Sequence, residues 1–177
     1  SITFFLGHSL LSTSVTLPVE QLKAAENIAR TQYALSQGNS SSPIDIKLAS
    51  IDGKAVSTHA GIQLQPDGCI LDIEDSDITY LPALWRNPRP LIKANAKLLP
   101  WLIRQHEQGN IIAGVGTGCC FMAEAALLNN RPATTHWHYF DRFEKNYPKV
   151  QLKRKHFITQ SSNLFCAGSI NALADLT

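Results

Sequence analysis

Gly109-Asn-Ile-Ile-Ala-Gly-Val-Gly-Thr-Gly-Cys-Cys-Phe-Met-Ala-Glu-Ala-Ala-Leu-Leu128 reads as a strand, a sharp turn and a helix. Ile111, Ile112, Ala113 and Val115 form a nearly unbroken apolar run, which suits a strand buried on both faces of a parallel sheet. Glycines follow at alternate positions, Gly114, Gly116 and Gly118, and then Phe121, Ala125 and Leu128 recur at helical spacing. Such a junction belongs at the carboxyl edge of a parallel sheet, where α/β proteins bind their ligands.

Three chemistries compete for this turn. A dinucleotide fingerprint needs a third glycine where Cys119 stands, and an acidic residue ending a strand about 20 residues on, which is missing. A phosphate-binding P-loop needs a Gly-Lys-Ser/Thr ending, also missing. A nucleophile elbow remains, in which a reactive side chain sits on a strained strand-to-helix turn above the sheet. The nucleophile's position, directly after the strand, is Gly116, which has no side chain. The elbow is present without its nucleophile.

Outward from this unit, Ile2 to Leu6 is short, apolar and β-prone, the expected first and central strand. Gly7 to Thr16 is a Ser/Thr-rich loop. Thr16 is expected to cap a helix with Pro18 in its first turn and a buried stripe at Leu22, Ala25, Ile28 and Ala29. The run 38–43 (Gly-Asn-Ser-Ser-Ser-Pro) predicts a mobile connection, and Ile44, Ile46 and Leu48 alternate as a second strand. Two turn dipeptides, Asp52-Gly53 and Asp67-Gly68, mark a small β excursion over 51–72. Ile78 to Leu81 is the next core strand, stopped by Pro82. Leu91, Ala94, Leu98, Leu99 and Leu102 predict one long amphipathic helix, containing or broken at Pro100.

Beyond the elbow unit, Asn129 to Pro132 is a turn and Tyr139 to Tyr147 a short charged helix. Val150 to Ile158 and Leu164 to Cys166 read as strands, and Gly168 to Leu176 as a final helix. Strands alternating with helices imply an α/β fold, a three-layer α/β/α sandwich on a mainly parallel sheet, spanning 1–177 as one domain.

The composition sets outer bounds. With 44% hydrophobic and 17% charged residues, the chain has globular and not disordered composition. A net charge of +2 is too weak to argue for nucleic-acid binding by this segment alone. The four cysteines, Cys69, Cys119, Cys120 and Cys166, lack Cys-x-x-Cys spacing, so neither a zinc site nor any other metal or cofactor is expected. Adjacent Cys119 and Cys120 do not readily form an ordinary disulfide, and reduced thiols point to the cytoplasm. No basic leader opens the chain, and no apolar run reaches membrane-spanning length.

The stretch from Val115 to Trp137, ending Ala133-Thr-Thr-His-Trp137, resembles the amino-terminal domain of one group of AraC-family transcriptional regulators. That domain has the class I glutamine-amidotransferase-like, or PfpI-type, fold. Its family pattern runs Val-Cys-Thr-Gly, then a helix with Ala-Glu-Ala-Gly-Leu-Leu, then Ala-Thr-Thr-His-Trp. The likeness extends over the whole chain: Pro18-Val-Glu-Gln-Leu-Lys-Ala-Ala25 is similar to the family's Gly-Pro-Leu-Glu-Val-Phe-Arg-Ala-Ala, and Ala167-Gly168 to its late Ala-Gly. The departures are as informative. Gly116 stands where enzymatic relatives have a cysteine nucleophile, Pro82-Ala83-Leu84 replaces a strand-end Pro-Gly-Gly, and Leu17 replaces the glycine before Pro18. The resemblance implies a ligand pocket at Glu20, Pro82, Ala83, Gly116, Thr117, Gly118, Cys119 and His136, with no catalytic residue.

Each of these has a plainer reading. Gly116 is either a tight-turn glycine or a point of ligand approach. Glu20 lies near a helix start, where a capping role rivals a pocket role. His136 either lines the pocket or hydrogen-bonds within the core. Cys119 and Cys120 open a helix whose dipole lowers a thiol pKa, yet a buried cysteine is usually a small hydrophobe. Trp137 is expected in the core with its indole N–H paired. Lys153-Arg-Lys-His156 reads as a solvated strand or hairpin, with DNA contact beside a recognition domain as its alternative, and Trp85 to Pro90 as the lip of a pocket or a dimer contact.

The expected function is a non-catalytic regulatory domain that binds a small effector or forms a homodimer and biases an attached DNA-binding module. DNA contact would come only through a helix-turn-helix domain beyond residue 177, and no membrane is involved. The alternatives are a cysteine-dependent hydrolase or hydratase using Cys119, and a dimerisation scaffold with a vestigial pocket.

Overall fold

A computed structural model describes residues 1–37 and 44–177, with side chains given outside 33–43. The connection expected at 38–43 lies outside the described residues. In chain order the strands are β1 (Ile2–Leu6), β2 (Ile46–Ser50), β3 (Val56–Ser57), β4 (Gln63–Leu64), β5 (Gly68–Cys69) and β6 (Ile78–Leu81). There follow β7 (Ile111–Val115), β8 (Pro132–Ala133), β9 (Gln151–Leu152), β10 (Ile158–Ser161) and β11 (Leu164–Ala167). The helices are α1 (Thr13–Gln37), α2 (Arg89–Ala94), α3 (Leu98–Glu107), α4 (Cys119–Glu124), α5 (Phe140–Asn146) and α6 (Ile170–Leu176).

Seven strands form the main sheet in the order β10-β11-β7-β6-β1-β2-β5. Every pairing in it is parallel except β10 with β11. β1 lies in the interior, and each of its five residues is buried, as the apolar run Ile2 to Leu6 requires. Helices flank this sheet in the expected α/β/α arrangement, α1 packing on α6 and α3 on α4. Aromatic contacts fasten the layers. Phe4 stacks on Tyr80 across β1 and β6 at 4.6 Å, and Phe5 meets Phe121 of α4 edge-on at 5.4 Å.

Several elements differ from the sequence reading. α1 starts at Thr13, so Pro18 is its sixth residue and forfeits one internal hydrogen bond. The predicted long helix is two helices: α2 ends at Ala94, and α3 restarts at Leu98, with Pro100 in its first turn, where a missing N–H costs nothing. α4 stops at Glu124, before Leu128, and the chain then turns through Ala126 and Asn130 in left-handed conformations. The strand expected over Val150 to Ile158 is interrupted. Gln151–Leu152 pairs with β8, Lys153 to Phe157 turns away, and pairing resumes at Ile158. The basic cluster within that turn is solvated as expected, with Arg154 held by Asp141 and Glu144 at 2.8 Å each. The β excursion at 51–72 yields a hairpin, β3–β4, and an edge strand, β5, that joins the main sheet.

Candidate functional site

β7 ends at Val115 in extended conformation, and Gly116 then adopts φ 51°. This left-handed backbone is what a strand-to-helix elbow demands, and glycine meets it without a steric penalty. A Cβ added at Gly116 would lie 3.5 Å from Ala83 Cβ and 3.6 Å from His136 Cβ, which is ordinary contact. Space for a side chain therefore exists at the elbow. At Gly118 it does not: a Cβ there would stand 2.4 Å from the carbonyl oxygens of both Leu81 and Pro82. Gly118 lets the elbow press directly against the end of β6.

Hydrogen bonds lock the segments that follow the parallel strands into one rim. Thr117 Oγ1 donates to the Leu84 carbonyl at 2.7 Å and accepts from the Leu84 N–H at 2.9 Å. Thr135 Oγ1 donates to the Gly116 carbonyl at 2.8 Å. Ala83 is held twice, its N–H on Ser14 Oγ at 3.1 Å and its carbonyl accepting from Leu11 N–H at 2.8 Å. Further out, Trp85 N–H donates to the Ser9 carbonyl at 3.1 Å, and the Trp85 ring stacks on His59 at 4.1 Å. The hairpin tip thus steadies the lip.

These segments enclose a cavity of about 480 Å³, within the range of small-molecule sites. Ala83, Gly116, Thr117 and His136 of the sequence-derived set line it. Pro82, Gly118 and Cys119 are buried beside it and do not line it; Pro82 and Gly118 meet through their backbones as structural contacts. Glu20 is placed elsewhere. Because α1 begins at Thr13, Glu20 falls about two turns into the helix, exposed, and neither caps it nor faces the cavity. Trp85 and Arg86 form part of the lining, which favours the pocket-lip reading of that segment. Trp137 corrects another expectation: it is 70% exposed at the cavity, because the turn Trp137–Tyr139 gives the inward position to Tyr139.

The sequence reading missed Leu11, Tyr139, Ser169 and Ile170, all of which line the cavity. A signal was available. The segments after β1 and β11 leave the same carboxyl edge as the elbow, since those strands run parallel to the ones beside them. Ser169 is also the N-cap of α6, its Oγ accepting from Ala172 N–H at 3.1 Å.

The titratable groups differ sharply. His136 Nδ1 accepts from the His138 N–H at 3.3 Å, so the neutral ring carries its proton on Nε2. Burial, with help from neighbouring His138, lowers its pKa below the usual 6.5. Cys119 is fully buried, and burial together with the adjoining Cys166 thiol pushes its pKa well above the ordinary thiol value. Cys120 is raised in the same direction by burial. Both thiols are buried in the core, and both shifts favour the protonated form. Among the described residues, no group of three or more His, Cys, Asp or Glu side chains is arranged to hold a metal ion.

This elbow at the edge of a parallel sheet has a family. Residues 1–174 match the model of the DJ-1/PfpI family. The chain belongs to the DJ-1/PfpI family. It is 30% identical over 130 residues to the HTH-type transcriptional regulator CdhR of Pseudomonas aeruginosa, covering 72% of this chain and 38% of that protein. An isonitrile hydratase of Pseudomonas putida is 27% identical over 132 residues, covering 75% of this chain and 56% of the hydratase. The chain thus spans less than two thirds of either relative. Among solved structures, an AraC family transcriptional regulator from Pseudomonas putida superposes with a TM-score of 0.75 at 17% identity, covering 99% of this chain and 86% of that one, a likeness of fold. No helix among the described residues is long and apolar enough to cross a membrane.

Proposed function

We propose that this chain is the effector-binding and dimerising domain of an AraC-family transcriptional regulator, cytoplasmic and without catalytic activity. The observation that carries the reading is Gly116: the elbow keeps its left-handed backbone and opens on a cavity of about 480 Å³, but offers no side chain to attack a ligand. Such a site binds without covalent chemistry. The likeness to CdhR supports a regulator; this chain spans 38% of that protein, and DNA contact would be the work of a separate helix-turn-helix domain of the full-length regulator. An effector acts there by binding one arrangement of the dimer more tightly than another.

A metabolite screen by thermal shift tests this reading. At least one compound should raise the melting temperature of the wild type and not of Ile170→Trp, which fills the cavity, and should change operator binding by the full-length regulator. Sedimentation equilibrium should give a dimer at micromolar concentration. A coding sequence that ends at Thr177, or a monomer well above that concentration, would count against the proposal.

The likeness to isonitrile hydratase favours a second reading, a cysteine-dependent hydratase using Cys119. The burial and raised pKa of that thiol weigh against it.

A further inference from the structure

We propose that the cavity takes a small organic carboxylate with an apolar body, and that the Arg86 guanidinium is its charge partner. The inference rests on the effector-binding reading above and adds the class of effector. Its first support is what the lining lacks. Among the described residues no aspartate or glutamate lines the cavity, the Thr117 hydroxyl is committed in both directions to Leu84, and Ser169 Oγ already accepts from the start of α6. The donors left to meet a ligand include the Arg86 guanidinium, the His136 Nε2–H and the Ser169 hydroxyl hydrogen. Asn171 and His138 in the lining can donate or accept, and Arg86 carries the one permanent charge.

The second support is Arg86 itself. It lines the cavity from an exposed, left-handed backbone position with φ 59°. Among the described residues it shares the lack of an ion-pair partner with Arg89, Arg104, Arg131 and Arg142, but of these arginines Arg86 alone lines the cavity. Arginine keeps its charge at any working pH and presents a planar fork suited to a carboxylate. The third support is the wall. Trp85, Trp137, Leu11 and Ile170 offer an apolar surface that a bare inorganic anion leaves unused. Aromatic walls also attract cations, but the Arg86 guanidinium already lies 5.5 Å from the centre of the Trp85 ring. A second cation there meets like charge; a carboxylate meets an opposite one.

Three molecules of nearly equal shape separate the possibilities: phenylacetate, phenylacetamide and phenethylamine, titrated calorimetrically into the protein at neutral pH. Phenylacetate should bind at least about tenfold more tightly than either of the others, and its affinity should fall as salt is raised. Arg86→Gln should remove most of that preference, and Arg86→Lys should retain part of it. The salt dependence and the comparison of ligands are read on the wild type, so they stand even if a variant folds poorly. Equal or tighter binding of the amide or amine, a preference unchanged in Arg86→Gln, or no binding of any of the three would overturn the inference. Binding of the amide or amine that Ile170→Trp abolishes would do so while leaving the effector-binding function intact.

Discussion

Thr117 and Leu84 exchange two hydrogen bonds, the threonine hydroxyl donating at 2.7 Å and accepting at 2.9 Å where a neighbouring strand would otherwise pair. One side chain thus satisfies both backbone groups of Leu84 beyond the end of β6, where ladder pairing has stopped. Thr117→Val keeps the shape and removes both bonds, leaving two buried backbone groups without partners. Its cost should be about 2 kcal/mol, measured by urea denaturation. Thr117→Ser should recover most of it. A valine variant as stable as wild type would show that the lip has another anchor.

The two glycines flanking Thr117 should behave oppositely. Gly118→Ala sets a methyl 2.4 Å from two backbone carbonyls that cannot move without shifting the end of β6. It should destabilise by on the order of 3 kcal/mol. Gly116→Ala meets only ordinary contacts and loses chiefly the ease of a positive φ, a cost of about 1 kcal/mol. Thermal melts of the pair check the order; equal losses would mean that the elbow relaxes as a unit.

His136 gives a dependence on pH with a definite sign. Its folded pKa lies below the usual 6.5, through burial and then the neighbouring His138. As pH falls through that value, the unfolded chain takes up a proton that the folded chain resists, so stability falls. The loss begins near 6.5 and is complete once the pH is below the lowered folded pKa. Melting temperatures across this window should decline more steeply for wild type than for His136→Gln. Parallel curves would remove His136 from the account.

Much of the fold was legible because its signals are local. The strand Ile111–Val115, the alternate glycines and the buried run Ile2–Leu6 state their roles through period and composition, and Gly116 has the positive φ its place in the elbow requires. Glu20 and Trp137 misled for a different reason. Glu20 is assigned from its place in a matched stretch and Trp137 from the usual burial of a large aromatic, but burial depends on where a turn begins: α1 starts four residues early, and the Trp137–Tyr139 turn swaps which aromatic faces inward. Leu11 and Ile170 reach the cavity only through strand order, a nonlocal property that spacing along the chain does not carry.

The thiols allow the decisive comparison between binder and enzyme. A nucleophile must be ionised, reachable and placed beside a base and oxyanion donors. Cys119 fails the first two conditions, being fully buried with a raised pKa. Gly116→Cys supplies a thiol where a Cβ stands 3.6 Å from that of His136, on the cavity wall. It should react with iodoacetamide at least about tenfold faster than the buried wild-type thiols Cys119 and Cys120, since reactivity follows exposure and thiolate fraction. Turnover should still be absent or slight. Ala83 and Leu84 are held by Ser14 and Thr117 in hydrogen bonds that commit their N–H groups, so this strand end offers no free donors to a developing oxyanion. Isonitrile hydration and ester hydrolysis, assayed on wild type, Gly116→Cys and Cys119→Ser, test the point. Wild-type turnover that vanishes in Cys119→Ser would replace the effector-binding account with an enzymatic one.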